Sequence, residues 1–399
     1  PLRELAKRVQ RHGAKFFVQL HHPGRQNVGL LVGTVPLSIQ LEKFTKGAYG
    51  KLLYKMTPAI GPILLNNDIM KSPFTGKEMK IVYESRTWKF RGEDYEYVQS
   101  FWLCQDSGET FTTDEQDDAA FMQVTNQYRT KYGIPFTDEI VSIRERYGVS
   151  ASKMSQILGI GTNQWRHYEA GEVPNVSNGR MIRSIMSPDV FRGYVYSSKH
   201  ILEEKEYKKL LSKIEKFVDE NNSSSEREMY DFTRIYQSER GAENGYAPQS
   251  LSHLKNVLLY LLSRCGEVFY TKMNKILFYA DFLSYRRRGM AITGLCYKAI
   301  EYGPVPERWD RVYSHFDEII QEPRAYGEKE GTVLISVAEP DKGALSDAEM
   351  DILNEVCDKF SSSTSSGITE ISHKEQAWLN HVTGHQRIPY TDAYTLNAI

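Results

Sequence analysis

Residues 150–171 read SASKMSQILGIGTNQWRHYEAG, and this stretch decides the fold of the middle of the chain. Ser150 is a favoured helix N-cap residue, and apolar side chains follow at helical spacing at Met154, Ile157 and Leu158. The glycines in residues 159–161 predict that this helix ends and that a second helix covers residues 162–170. Two short helices joined by a glycine-containing turn are typical of a helix-turn-helix unit, whose second helix enters the major groove of DNA. An ordinary helical hairpin packed in a core is the alternative.

The second predicted helix has a polar outer face, while Ile160, Trp165 and Tyr168 can face inward. Asn and Gln side chains pair with adenine edges, and Arg pairs with guanine or with phosphate. We therefore predict that the chain binds a double-stranded DNA operator. The predicted contact residues are Thr162, Asn163, Gln164, Arg166 and His167, together with Lys153 on the preceding helix.

The composition limits how the chain can bind DNA. Its 399 residues are 40% hydrophobic and 25% charged, which is typical of a globular protein with about two to four domains. The net charge of −1 excludes a generally basic nucleic-acid binder. Residues 138–199 hold eight Lys or Arg against six Asp or Glu. This mild excess predicts that specific binding depends on base contacts and on a homodimer more than on bulk charge.

The cysteines and the hydropathy pattern indicate the compartment. The four cysteines, at Cys104, Cys265, Cys296 and Cys357, are far apart in sequence and form no C-x-x-C pair. This spacing predicts a reducing environment and no disulfide framework. No apolar run approaches the ~18 residues of a membrane span, and no signal-peptide pattern opens the chain. We predict a cytoplasmic protein that has no contact with a membrane.

Residues 1–69 differ from the rest of the chain. A predicted helix, the predicted strand KFFVQL and the loop HHPGRQN follow one another, an order typical of α/β folds. The stretch GAKFFVQLHHPGRQN resembles the old yellow enzyme family of flavin reductases, which are (β/α)8 barrels that hold FMN. The resemblance implies that Gln19 matches the glutamine that contacts the flavin.

A complete barrel of this kind takes about 250 residues, and the sequence after residue 69 does not continue it. We therefore predict a truncated α/β-barrel fragment, with a native start at Met70 and no cofactor bound. An FMN-dependent NADH:flavin oxidoreductase or ene-reductase is the alternative function that this fragment offers.

Residues 70–135 have the pattern of a small β ribbon. Alternating segments at residues 80–83, 87–90 and 95–98 predict three short antiparallel strands. Two similar turns flank them, Ser72-x-x-Thr75-Gly76 and Cys104-x-x-Ser107-Gly108. Two C-x-x-C turns at these places would form a zinc ribbon, but hydroxyls are poor zinc ligands. We predict a ribbon without metal, held by bonds from hydroxyls to the backbone in its turns, and zinc binding is the alternative.

Residues 136–200 predict a bundle of short helices around the helix-turn-helix. Together with the ribbon, IGTNQWRHYEAGEVP resembles the MqsA-type antitoxins, which have a Cro/repressor-like helix-turn-helix. In that family an Asn and an Arg four residues later read the operator, and these positions match Asn163 and His167. The Arg is replaced by His167 here, with Arg166 beside it. Glu169 is interpreted as structural.

Residues 201–250 predict a connector. Residues 202–218 have the pattern of a charged amphipathic helix, which is interpreted as a solvated spacer, with a dimer-forming helix as the alternative. The segment NNSSS at residues 221–225 predicts a flexible break, and the polar residues 227–248 predict partial disorder.

Residues 251–399 predict an α+β domain. Helices are predicted at 251–262, 271–285, 307–316 and 347–360, strands at 295–302 and 332–336, and a rigid turn at 303–306. KILFYADFLSYRRRGMAITGLCYKAIEYGPVPERW and the later SH-x-E-x-AW resemble the Panacea, or SocA-like, antitoxin domain. That family neutralises a toxin or presents it to a protease adaptor. The resemblance implies partner contacts by Tyr279, Asp281, Tyr302, Pro304 and Trp378. For Tyr279 and Trp378 a place in the core is the favoured interpretation, and Gly303-Pro304 can serve only to shape a turn.

These patterns together predict a mainly α protein with small β elements, and not an enzyme. The predicted function is that of an antitoxin-type transcriptional regulator, which represses its own operator and binds a cognate toxin. A phage-type repressor without a toxin remains the alternative within the same class.

Overall fold

A computed structural model of the chain describes residues 63–65, 69–73, 75–223, 226–326 and 329–399. The described residues fall into two compact units: those up to Lys80 together with Leu103–Glu109, and those of Ile81–Trp102 together with Thr110–Ile399. Gln19 and nearly all of the flavin-reductase-like segment lie outside the described residues. The described part is mainly helical with small antiparallel sheets, which confirms the predicted fold class.

In the first unit, β1 (Ile63–Leu65) and β2 (Ile69–Lys71) pair as antiparallel strands. Each predicted turn then closes on itself, because the Gly76 amide donates to the Ser72 carbonyl at 2.9 Å and the Gly108 amide donates to the Cys104 carbonyl at 2.8 Å. The Ser72 hydroxyl accepts from the Thr75 amide at 3.3 Å. These bonds confirm the predicted turns and their hydroxyl-to-backbone contacts.

The ribbon has two long strands where three short ones were predicted. They are β3 (Lys80–Phe90) and β4 (Glu93–Leu103), and the short β5 (Thr110–Phe111) completes the sheet in the order β3-β4-β5. The polar residues between the first two predicted strands continue β3 with exposed side chains. The chain reverses only at Arg91 and Gly92, whose φ angles of 50° and 91° suit a two-residue hairpin turn. Helix α1 (Asp114–Tyr132) follows, with Thr113 as its N-cap.

The two helices predicted as a helix-turn-helix lie in a bundle of short helices, which we call the helix-turn-helix bundle. They are α2 (Thr137–Tyr147), α3 (Ala151–Leu158), α4 (Gln164–Glu169), α5 (Val176–Ser184) and α6 (Pro188–Ser197). Their apolar faces form one core, in which Met154, Trp165, Ile182 and Phe191 are fully buried. Helix α4 is shorter than predicted, because Thr162 and Asn163 form the turn that precedes it.

The connector is more closely packed than the sequence predicted. Helix α7 (Glu204–Ser223) buries Leu210 and Ile214 in the core of the helix-turn-helix bundle, so it is not a solvated spacer. Helix α8 (Glu226–Ile235) follows, and beyond it Tyr246 and Ala247 are buried in the C-terminal core. The prediction of partial disorder over residues 227–248 is therefore wrong for these two buried residues.

The C-terminal region is built around one buried helix. Its helices are α9 (Leu251–Cys265), α10 (Tyr270–Arg288), α11 (Trp309–Ser314), α12 (Asp347–Phe360), α13 (Ser365–Ser372) and α14 (Gln376–Leu379). Residues 273–285 of α10 are all buried, because other elements pack on every side of it.

Two three-stranded antiparallel sheets flank α10. Their strands are β6 (Val268–Phe269), β7 (Tyr297–Ile300), β8 (Gly303–Pro306), β9 (Ile319–Tyr326), β10 (Lys329–Ser336) and β11 (Arg387–Ile388), in the orders β6-β10-β9 and β11-β7-β8. The segment 303–306 was predicted as a turn but is strand β8, paired with β7 from Ile300↔Gly303 to Tyr297↔Pro306. The two prolines fit because β8 is an edge strand.

Two cysteines that are distant in sequence meet in this region. Cys265 at the end of α9 and Cys357 on α12 are free thiols whose sulfur atoms lie 3.0 Å apart. Sequence spacing alone gave no sign of this contact. Among the described residues, no helix combines the length and apolar character that crossing a membrane requires.

Candidate nucleic-acid interface and partner domain

The two helices of the helix-turn-helix are fixed to each other by Trp165. Its side chain is fully buried, and its amide donates to the Ser155 hydroxyl on α3 at 2.9 Å. Between the helices, Gly159 and Gly161 have φ angles of 67° and 97°, a region that favours glycine. The turn therefore sets a fixed angle between α3 and α4.

Glu169 holds the end of α4 in place. One of its carboxylate oxygens accepts from the Trp165 indole at 2.9 Å and from Arg144 Nε on α2 at 2.5 Å. Nearby, the Tyr168 hydroxyl accepts from the Asn178 side chain at 2.8 Å. Glu169 is thus a structural residue, as its position in the sequence indicated.

The predicted DNA contacts fall into two groups. Thr162, Asn163, Arg166 and His167 are exposed on one stretch of the turn and α4. Among the other two, Gln164 donates to Glu172 at 3.1 Å, while Lys153 lies 3.3 Å from Glu206 of α7. The structure therefore brings four predicted residues together on a free surface and gives Gln164 and Lys153 intramolecular partners.

Two arginines outside the helix-turn-helix hold the loop that follows α4. Arg91, in the turn between β3 and β4, donates to the Val173 and Pro174 carbonyls at 2.5 and 2.7 Å. Arg129 of α1 is buried and donates to the Pro135 carbonyl at 2.5 Å and to the Glu172 carbonyl at 3.4 Å. Sequence reasoning missed both residues, because a surface arginine and a buried one look alike without their partners.

The ribbon turns hold one thiol among hydroxyls. The Thr75 hydroxyl lies 3.5 Å from the Cys104 sulfur. Hydrogen bonds from Ser107, Ser72 and Thr75 lower the pKa of Cys104 to about 6. Within the described ranges, no three His, Cys, Asp or Glu side chains gather as a metal site would require. Three of the four knuckle positions carry hydroxyls, which are weaker zinc ligands than thiolates.

Two of the predicted partner residues belong to the C-terminal core. Tyr279 and Asp281 of α10 are fully buried, so neither offers surface to a partner in this structure. Tyr279 stacks on Phe360 with ring centres 4.7 Å apart and donates to Glu375 at 3.2 Å. Asp281 accepts from the Ile292 and Thr293 amides at 2.8 Å each and from the Tyr297 hydroxyl at 2.7 Å.

The other three predicted partner residues, Tyr302, Pro304 and Trp378, lie around the turn between β7 and β8. Tyr302 is 67% exposed, whereas Pro304 is buried in β8. Trp378 is half-buried, stacks on His373 with ring centres 4.1 Å apart, and donates from its indole to the Ile300 carbonyl at 2.8 Å. Of the five predicted partner residues, Tyr302 therefore offers the most surface.

Comparison with known proteins bears on the C-terminal region. No curated protein and no solved structure matches the chain. A family match supports an antitoxin-type role in general and confirms the Panacea part of the predicted resemblance. Residues 273–379 match the family model for the antitoxin SocA-like, Panacea domain.

Proposed function

We propose that this chain is a DNA-binding antitoxin that represses its own operator through the helix-turn-helix and binds a cognate toxin through the C-terminal region. The observation that carries the DNA-binding half is the exposed group Thr162, Asn163, Arg166 and His167 on a rigidly anchored helix pair. Their amide, guanidinium, imidazole and hydroxyl groups suit the hydrogen-bonding edges of the major groove. The family match at residues 273–379 supports the antitoxin half.

The charge around the helix-turn-helix bears on how the operator is bound. Lys153, Arg144 and Arg192 each have an acidic partner, at 3.3, 2.5 and 2.6 Å. These pairs leave little uncompensated positive charge for phosphate contacts, so specificity rests on base contacts and on two copies binding a palindrome. We also propose that the chain forms a homodimer and that it delivers the bound toxin to a protease adaptor.

Replacing both Asn163 and Arg166 with Ala is expected to weaken operator binding by at least about 100-fold, because each well-formed base contact contributes ~1–3 kcal/mol. Both side chains are exposed, so the thermal unfolding midpoint should stay within about a degree of the parent. The measurement is a gel-shift titration of DNA taken from upstream of the gene, at fixed salt.

The matched control is Lys208→Ala on α7. Lys208 is an exposed cation that lies 3.2 Å from Glu204, on a helix other than α3 and α4. Its loss should change the affinity less than threefold. Equal affinities for the double variant and the parent would refute the assignment of these residues to DNA.

The toxin half is tested by capture of the protein encoded next to this gene. We expect the full chain to retain that protein on a column and to relieve its toxicity when both are expressed. If neither occurs while operator binding persists, the chain is a repressor without a toxin.

A further inference from the structure

Helix α10 carries a buried amine without a hydrogen-bond partner. Lys275 is 0% exposed, and its Nζ has no partner among the residues that the structure describes. An ammonium has three protons to donate, and burying it unpaired is costly. Burial lowers the pKa of Lys275 to about 8, so most of the amine is still charged at neutral pH.

The amine lies directly beneath the exposed turn between β7 and β8. A Cβ added to Gly303 would lie 2.7 Å from Lys275 Cε and 3.2 Å from its Nζ, so the backbone of Gly303 covers the amine. The φ of Gly303 is +100°, which favours glycine there. The Ser372 hydroxyl is close to the same point, but it donates to the Thr369 carbonyl at 2.8 Å.

A second nitrogen beside this turn is also unsatisfied. His373 Nε2 is buried and has no hydrogen-bond partner in the described part of the chain. The His373 ring stacks on Trp378, with ring centres 4.1 Å apart. Burial, and next the charge of Lys275, lower the pKa of His373. His373 directly follows Ser372, whose hydroxyl lies 2.7 Å from the same point beside Gly303 that Lys275 Nζ approaches to 3.2 Å.

The buried carboxylate of Glu375, two residues after His373, bonds to neither of these nitrogens. Glu375 accepts from the Tyr279 hydroxyl at 3.2 Å and from the Asn397 and Ala398 amides at 2.8 and 3.0 Å. Native proteins rarely leave two neighbouring buried polar groups unpaired. The cluster thus has nitrogens that can donate but lacks a negatively charged acceptor.

We propose that Lys275 and His373 form a carboxylate-binding site beneath the Glu301–Gly303 turn. A carboxylate accepts a charge-assisted bond from an ammonium and a hydrogen bond from an imidazole N–H, and its negative charge would offset the positive charge of the buried amine. It can come from an acidic side chain of a protein partner or from a free organic acid. The first source rests on the proposed toxin-binding function, and the second does not.

The site is tested by thermal unfolding of the full chain in sodium acetate, with sodium chloride at equal ionic strength as the reference. Acetate about fivefold above its dissociation constant should raise the melting temperature of the parent by about 2–4 °C more than chloride does. Lys275→Met should abolish this difference, and it should fold because it removes an uncompensated buried charge.

Two further variants keep the test independent of any one substitution. Lys272→Met is the matched control, since Lys272 lies on the same helix and donates to the Ser361 carbonyl at 3.0 Å; it should respond to acetate as the parent does. His373→Phe can retain a ring against Trp378 but loses Nε2, and it should reduce the acetate response.

Capture of the neighbouring gene product identifies the source of the carboxylate. If acetate acts through Lys275 and Lys275→Met also lowers capture at least tenfold, the carboxylate belongs to the partner. If acetate acts through Lys275 and capture is unchanged, the site takes a free carboxylate. Equal acetate responses in the parent and in Lys275→Met would overturn the proposal whatever happens to capture.

Discussion

Asp281→Ala is expected to lower the free energy of unfolding of the C-terminal region by about 3–5 kcal/mol. The Asp281 carboxylate is 0% exposed and accepts hydrogen bonds from the amides of Ile292 and Thr293, from the Thr293 hydroxyl and from the Tyr297 hydroxyl. Alanine would leave these donors buried without an acceptor, and each unsatisfied group costs ~1–3 kcal/mol. Urea unfolding followed by circular dichroism measures the change.

Two further variants show whether the loss of stability in Asp281→Ala comes from the missing hydrogen-bond acceptors. Asp281→Asn keeps one acceptor oxygen, so its cost should lie between those of the parent and Asp281→Ala. Asp310→Ala removes an exposed carboxylate that lies 3.2 Å from Arg311, and it should cost less than about 0.5 kcal/mol. A loss below about 1 kcal/mol for Asp281→Ala would mean that the segment around Thr293 does not depend on this carboxylate.

The role of Asp281 illustrates what the sequence could not predict. The resemblance to the Panacea domain drew attention to Asp281, Tyr279 and Trp378 but did not say whether they face a partner or the core. For Asp281, the answer depends on the backbone of residues 292–293, which folds back onto α10. That long-range approach leaves no periodic pattern in the sequence.

Local signals predicted elements well where one rule governed the whole element. The predicted helix 347–360 matches α12 because Ser346 and Glu349 form a capping box at its start, as is typical of helix N-termini. The helix pair α3 and α4 was predicted because Ser150 and the turn glycines mark where α3 begins and ends. Segment 303–306 was mistaken for a turn because two prolines are turn residues as well as edge-strand residues.

The residues of the candidate DNA-binding surface were predicted only in part, because some of their contacts depend on distant parts of the chain. Arg166 and His167 could be assigned to the outer face of α4 from helical spacing alone. Gln164 lies on the same helix, but its contact with Glu172 depends on the path of the next loop. The buried state of Lys275 was equally invisible, because lysine in a sequence indicates surface far more often than core.

Arg129→Met is expected to destabilise the helix-turn-helix bundle by about 2–4 kcal/mol. We also expect it to weaken the proposed operator binding, although Arg129 is not among the exposed residues proposed to contact DNA. Its guanidinium is 2% exposed and donates to the carbonyls of Pro135, Gly171 and Glu172, the last two in the loop directly after α4. Charged donors to carbonyls contribute ~1.5–3 kcal/mol each when well formed, and the short bond to Pro135 should contribute most. Methionine preserves the apolar stem and removes every one of these bonds.

Arg183→Met is the matched control for Arg129→Met. Arg183 makes one surface bond, from Nε to the Gly133 carbonyl at 2.9 Å, so its loss should cost less than about 1 kcal/mol and leave operator affinity unchanged. Hydrogen exchange of residues 137–197 in urea, followed by mass spectrometry, reports on the bundle, and gel shift reports on the proposed interface. If Arg129→Met loses affinity at a temperature where the bundle remains folded, Arg129 positions α4 for DNA. If Arg129→Met and Arg183→Met have equal effects on both measurements, the loop after α4 is held by other contacts and the role assigned to Arg129 is wrong.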